Sequence, residues 1–144
     1  MKLSFDEFRW EGVKPRPYKE PTHPGGFEGI TRYKLTEGLP AAFELRYFEL
    51  DPGGYSSLEK HRHVHFVIAL RGKGTALVGD RVLELDPFDA LYVPPLTPHR
   101  FANAGEEPFG FLCPVDAERD RPQPLDDAEL EALRSNPATA RYAF

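Results

Sequence analysis

Short runs of apolar, aromatic and β-branched residues recur along this chain, each cut off by a turn bearing glycine or proline, and no stretch keeps a helical period for long. Read in order, the pattern predicts strands over Phe27–Leu35 and Phe43–Leu50, the second ended by Asp51-Pro-Gly-Gly54. His63–Leu70 runs apolar into the turn Arg71-Gly-Lys-Gly74. Thr75–Val78 and Val82–Leu85 flank Gly79-Asp80, a pair suited to a tight hairpin. Ala90–Val93, His99–Asn103 and Phe109–Cys113 complete a set of about eight short strands. Many short strands joined by Gly/Pro turns predict an all-β sandwich or barrel.

The two ends break this pattern. Residues 1–26 are rich in Pro, Lys, Arg and Gly and read as an arm with little regular structure, leaving 27–115 as the barrel. Residues 116–144 begin as a charged, proline-bearing connector. After it, Asp126-Asp-Ala-Glu129 has the form of a capping box, and Leu130 and Leu133 give a short apolar stripe. One short helix is expected there, stopped before Pro137.

A chain of 144 residues fits one domain with one real core. Eighteen basic against 23 acidic residues give a net charge of −5, with no long block of either sign. The nearest basic cluster, Lys14-Pro-Arg16-Pro-Tyr-Lys19, is short and broken by proline. Neither nucleic acid nor an anionic membrane is an expected partner. No apolar run approaches the roughly 20 residues of a membrane span, and the acidic residues near the start do not suit a secretory leader. A single cysteine excludes an internal disulfide and suits a reducing compartment, so a cytoplasmic location is expected.

Four of the five histidines fall in one two-part pattern, Glu59-Lys-His61-Arg-His63-Val-His65 and Pro94-Pro-Leu-Thr-Pro-His99-Arg-Phe-Ala-Asn103. In an extended strand, side chains two apart share a face, so Glu59, His61, His63 and His65 would project together. Neutral imidazole and carboxylate suit zinc, manganese, iron, cobalt or nickel. The fifth histidine, His23, sits in Pro21-Thr-His-Pro-Gly25 and reads as an exposed loop residue. Cys113 reads as a small buried hydrophobe. Of Arg46 and Tyr47, alternation sends only one inward to help hold a substrate.

These residues resemble the two cupin motifs, G(X)5HXH(X)3-4E(X)6G and G(X)5PXG(X)2H(X)3N. From Gly53 the spacing leads through Glu59, His61 and His65 to Gly72, with Glu59 in the first histidine slot and His65 in the glutamate slot. In the second motif Phe88 and Leu96 take the two glycine slots around Pro94, followed by His99 and Asn103. The resemblance spans residues 43–113 and implies a jelly-roll β-barrel with one divalent metal ion (Fe, Mn, Ni or Zn) inside, held by Glu59, His61, His65 and His99. His63 then lines the pocket as a possible base; the rival set is His61, His63, His65 and His99 with Glu59 outside. Glu59, if not a ligand, would orient an imidazole or act as a base. Phe101 is expected to wall the pocket, and Asn103 to bond backbone at a strand end.

Three functions follow as expectations. The first is a metal-dependent oxygenase, of dioxygenase type, acting on a small organic substrate at the ion's open positions. The second is a metal-dependent sugar or keto-acid isomerase or epimerase; against it, the barrel segments show only scattered arginines. The third is a non-catalytic small-ligand binder. The resemblance also implies a homodimer. Packing the arm's Phe5, Phe8 and Trp10 on a neighbouring barrel would take those aromatics out of water.

Overall fold

The computed structural model of the protein describes residues 1–144, and its regular structure is mostly antiparallel strand. They are β1 Phe5–Asp6, β2 Arg9–Trp10, β3 Pro15–Pro17, β4 Glu28–Lys34, β5 Phe43–Tyr55, β6 His65–Arg71, β7 Gly74–Val78, β8 Arg81–Leu85, β9 Ala90–Val93, β10 His99–Ala102 and β11 Phe109–Asp116. One helix, α1 Asp127–Ser135, and a 3-10 turn at Ala140–Tyr142 follow. β1 pairs only with β2; the others form a curled sheet in the order β8-β7-β10-β5-β11-β6-β9, with β4 added on β5 and β3 on β4.

The long strand β5 belongs to both walls of the barrel. Residues 43–50 lie between β4 and β11, whereas Tyr55 pairs with Ala102 of β10. The predicted stop at Asp51-Pro-Gly-Gly54 is therefore a corner through which the strand continues, with a register slip in β4 between Glu28 and Ile30. Gly53 turns it with a φ of 79°. Gly54 lets backbones touch, since a Cβ there would stand 2.6 Å from the Gly29 carbonyl oxygen.

Alternation along β5 decides which wall residues face inward. Arg46 and Phe48 line the interior cavity with their cross-strand neighbours Cys113 and Phe111. Tyr47 and Glu49 point to the other face, where the N-terminal residues cover them. Those residues are not the unstructured arm that composition suggested. β1 and β2 form a hairpin turned by Glu7 and Phe8, both at positive φ, and Trp10 packs edge-on against Tyr47 with ring centroids 5.2 Å apart. Arg9 then forms a two-pronged ion pair with Glu49, which also accepts from Tyr47 and Arg71. Trp10 thus packs on its own barrel, while Phe5 stays 55% exposed.

The C-terminal segment closes the outer face of β7 and β10. Leu133, Tyr142 and Leu125 pack with Leu58 and Leu77 in a cluster separate from the barrel core. The capping box forms as the sequence indicated: Asp126 accepts from the Glu129 amide at 2.8 Å and Glu129 accepts from the Asp126 amide at 2.9 Å. Arg100, fully buried, donates to the carbonyls of Ser56, Tyr142, Phe144, Gly25 and Gly26. That single guanidinium ties both chain ends to the strand that carries His99.

Candidate metal centre

The predicted strand from His63 begins only at His65, and residues 61–64 form a bent loop. The histidines therefore converge through loop geometry, and strand alternation is not what gathers them. Five hydrogen bonds fix the loop. Glu59 and His99 exchange backbone hydrogen bonds of 3.3 and 2.9 Å, and the Leu96 amide donates to the His61 carbonyl at 2.7 Å. Asp120 accepts from the amides of Arg62 and His63 at 2.7 and 2.9 Å. Leu96 holds a φ of 55° and Phe88 one of 75°. Both glycine slots of the second motif thus keep their left-handed backbone with bulky residues in them, at a cost of about 1 kcal/mol each.

His61, His65 and His99 are buried, and their donor atoms lie within 4.8 Å of one another. His61 Nδ1 donates to the His63 carbonyl at 2.7 Å and His99 Nδ1 to the Thr97 carbonyl at 2.9 Å. Each bond leaves Nε2 with its lone pair free for an ion. His65 Nδ1 sits 3.2 Å from Cys113 Sγ, and its Nε2 is 2.9 Å from that of His61. Two nitrogens bound to one ion at about 2.1 Å and a right angle stand about 3.0 Å apart, so this pair is already close to the spacing of neighbouring ligands. The donor set fits a divalent metal.

Burial keeps these imidazoles uncharged. His61 is pushed down to about 4 by burial, with His99 and His63 reinforcing the shift. Burial drives His65 further down, and lowers His99 as well. All three are therefore neutral at physiological pH, the form a metal requires.

Glu59 lies beside this triad with its carboxylate engaged elsewhere. Oε2 accepts from Lys19 Nζ and, at 2.6 Å, from Ser57 Oγ. His23 Nε2 stands 3.6 Å from the same oxygen and 3.4 Å from Lys19 Nζ, so His23 is a half-buried neighbour of the site and not the exposed loop residue expected. Burial opposes the charge on Glu59, but Lys19 and Ser57 hold its carboxyl below the usual range. Burial lowers Lys19 against the pull of Glu59.

His63 is stacked on His61 with centroids 3.5 Å apart, and its Nδ1 donates to Asp120 Oδ1 at 2.8 Å. Phe101 lines the same cavity, of about 190 Å³. Asn103 bonds backbone as expected, donating to the carbonyls of Leu50 and Glu107. Cys113 is buried as expected but touches both His65 and the Arg46 Nη2, at 3.2 and 3.3 Å; burial pushes its thiol up. The arginines that look scattered in sequence are gathered here: Arg32, Arg46 and Arg119 all line the cavity. Lys19, Ser57, Arg32, Arg119 and Asp120 escaped sequence reasoning. Lys19, Arg32 and the Arg119-Asp120 pair reach the site from segments remote from the histidine motif, and Ser57 lies two residues before Glu59 without a spacing that marks it.

Among known proteins, the chain is 43% identical over 136 residues to 1-methylthio-D-xylulose 5-phosphate methylsulfurylase of Rhodospirillum rubrum, covering 94% of this chain and 86% of that protein. It is 36% identical over 100 residues to glucose-6-phosphate isomerase of Thermococcus litoralis, covering 65% of this chain and about half (51%) of that enzyme. A cupin-2 domain crystal structure from Rhodospirillum rubrum superposes with a TM-score of 0.84 at 42% identity, covering 99% of this chain and 95% of that one. A cupin 2 conserved barrel domain protein from Rhodopseudomonas palustris gives 0.87 at 39% identity, covering 99% and 97%. The family model of the cupin domain, Cupin_2, matches residues 46–115. With the motifs, the barrel and the histidine triad in agreement, the chain belongs to the cupin family.

Proposed function

We propose that this cupin is a metal-dependent enzyme that polarises a carbonyl of a small phosphorylated sugar and moves a proton beside it. The carrying observation is the triad of buried imidazoles, with ligand atoms within 4.8 Å of one another, in a cavity that His63 also lines. Identity of 43% across nearly the whole chain to an enzyme named for a xylulose phosphate supports the substrate class.

His61, His65 and His99 would hold the ion, which supplies Lewis-acid polarisation of the carbonyl when bound. The chain's own groups do the rest. Asp120 takes the Nδ1 proton of His63 in a hydrogen bond and so leaves Nε2 able to accept one. Phe101, Phe48 and Phe111 exclude water from one wall of the cavity. Glu59, which the motif spacing offers as a fourth ligand, we assign to holding Lys19 at the cavity edge, since Oε2 accepts from Lys19 and Ser57 and the carboxylate falls outside the cluster of the three imidazoles. Oxygenase chemistry would use the same triad, but the basic wall of the cavity favours an anionic substrate.

The test is turnover of 1-methylthio-D-xylulose 5-phosphate and of glucose 6-phosphate by metal-loaded protein, with oxygen uptake followed in parallel. The expected result is metal-dependent conversion of one of them without oxygen uptake, accompanied by wash-in of solvent deuterium next to the carbonyl and slowed in His63→Gln. Oxygen uptake coupled to turnover would replace this reading with the oxygenase one. Tight binding without conversion would make the protein a binder.

A further inference from the structure

Resting on that reading of the cavity, we infer that Arg32, Arg46 and Arg119 form a subsite for a phosphate dianion on the wall built by β4, β5 and the connector after β11. Arg32 pairs in register with Phe48, and Lys34 with Arg46. Arg32 and Arg46 are therefore diagonal neighbours on one face, within reach of a common ligand. Arg119 arrives from the connector, fixed by its Nη1 on the Asp116 carbonyl at 2.7 Å and its Nη2 on Glu44 at 3.1 Å.

Charge balance is what calls for a ligand. Three guanidiniums share this wall, and Glu44 is the carboxylate paired there, itself divided between Arg119 and Lys34. The other cavity cation, Lys19, is already neutralised by Glu59. With Lys34 also drawing on Glu44, four cations face one carboxylate, and that surplus of positive charge matches a phosphate dianion better than a monoanionic carboxylate. The protein also leaves donors open. Arg46 spends Nε and Nη2 on Cys113 and keeps Nη1 free. Arg32 makes no side-chain hydrogen bond, and its Nε is buried without a partner. A buried donor left unpaired is costly and rare in folded proteins, and a planar guanidinium is the natural partner of phosphate oxygens. Arg46 touches Cys113, which touches His65, so the subsite and the triad open on one cavity.

The test uses Arg32→Met, because Arg32 supports no contact whose loss would unfold the chain. Inorganic phosphate is titrated calorimetrically into metal-free protein at low ionic strength, with melting followed with and without phosphate. Wild type is expected to bind one phosphate per chain, and Arg32→Met to bind it at least about tenfold more weakly. Without phosphate, Arg32→Met is expected to melt at or above the wild-type temperature, since a repelled and unpaired cation has gone. Arg121→Met, an exposed arginine outside the cavity, is expected to bind phosphate as wild type does. Equal phosphate affinity in wild type and Arg32→Met would overturn the subsite, and so would equal losses in Arg32→Met and Arg121→Met. A lower melting temperature for Arg32→Met without phosphate would show a structural role and overturn it too. Because metal is absent from this titration, failure of the metal-enzyme reading leaves phosphate binding intact. Failure of the subsite likewise leaves metal binding intact.

Discussion

Replacing Arg100 by methionine keeps most of the side chain's apolar volume and removes all five of its hydrogen bonds to backbone carbonyls. The acceptors on Ser56 and Tyr142 are buried, and each would lose its charged donor with no water to replace it, at about 1–3 kcal/mol apiece. The carbonyls of Gly25, Gly26 and Phe144 are only part-buried and would be rehydrated, adding a few tenths of a kcal/mol each. Stacking of the guanidinium on Phe144 and Tyr55, at 4.4 and 5.0 Å, also goes. Against this stands the relief of a buried charge, whose strain shows in Arg100 being pushed down to about 10 by burial. The balance is a loss of about 3–5 kcal/mol, or about 10–15 °C in melting temperature for a chain of this size. Urea unfolding of wild type and Arg100→Met reads it. A loss under about 1 kcal/mol would refute the view that this residue pins both chain ends to the barrel.

Three further outcomes follow from the same contacts. His61 titrates at about 4 in the fold against about 6.5 unfolded, so the unfolded chain takes up protons that the folded one refuses. Metal-free protein should therefore keep full stability above about pH 6.5 and lose it towards pH 4; equal urea midpoints at pH 7.5 and 5 would contradict this. Glu59→Gln should retain metal at the wild-type ratio while loosening Lys19; metal lost from this variant by elemental analysis would make Glu59 a ligand. Glu49→Gln should weaken the half-exposed Arg9 and Arg71 pairs and release the N-terminal hairpin, at about 1–2 kcal/mol. Trp10 is the chain's one tryptophan, so a red-shifted emission reports that release, and an unchanged spectrum would refute it.

Much of the barrel was legible because inward and outward positions alternate within each strand, and because turn residues such as Gly79-Asp80 are local signals. The spacing of Glu59, His61, His65 and His99 was also legible, since the loop and strand that carry them have fixed lengths. What sequence could not give was anything decided by distant partners. The corner in β5 reads as a stop because Asp51-Pro-Gly-Gly54 has turn chemistry; only the close approach of Gly29 shows the strand passing through. His23 looks exposed until Lys19 and Glu59 are seen beside it. Arg32, Arg46 and Arg119 are 14 and 73 residues apart along the chain and meet only because β4 pairs with β5 and the connector folds back. Phe88 and Leu96 conceal the two glycine slots, because their left-handed backbone is held by the surrounding loops and not by their own preference.

His61, His65 and His99 are placed to hold one divalent ion inside this barrel. Metal content per chain, measured by elemental mass spectrometry on wild type and His99→Ala after loading with manganese, iron, nickel or zinc and desalting, tests it most directly. Wild type is expected to carry about one ion per chain and His99→Ala almost none. A wild type that stays metal-free after loading, or a His99→Ala variant that keeps its full complement, would contradict it.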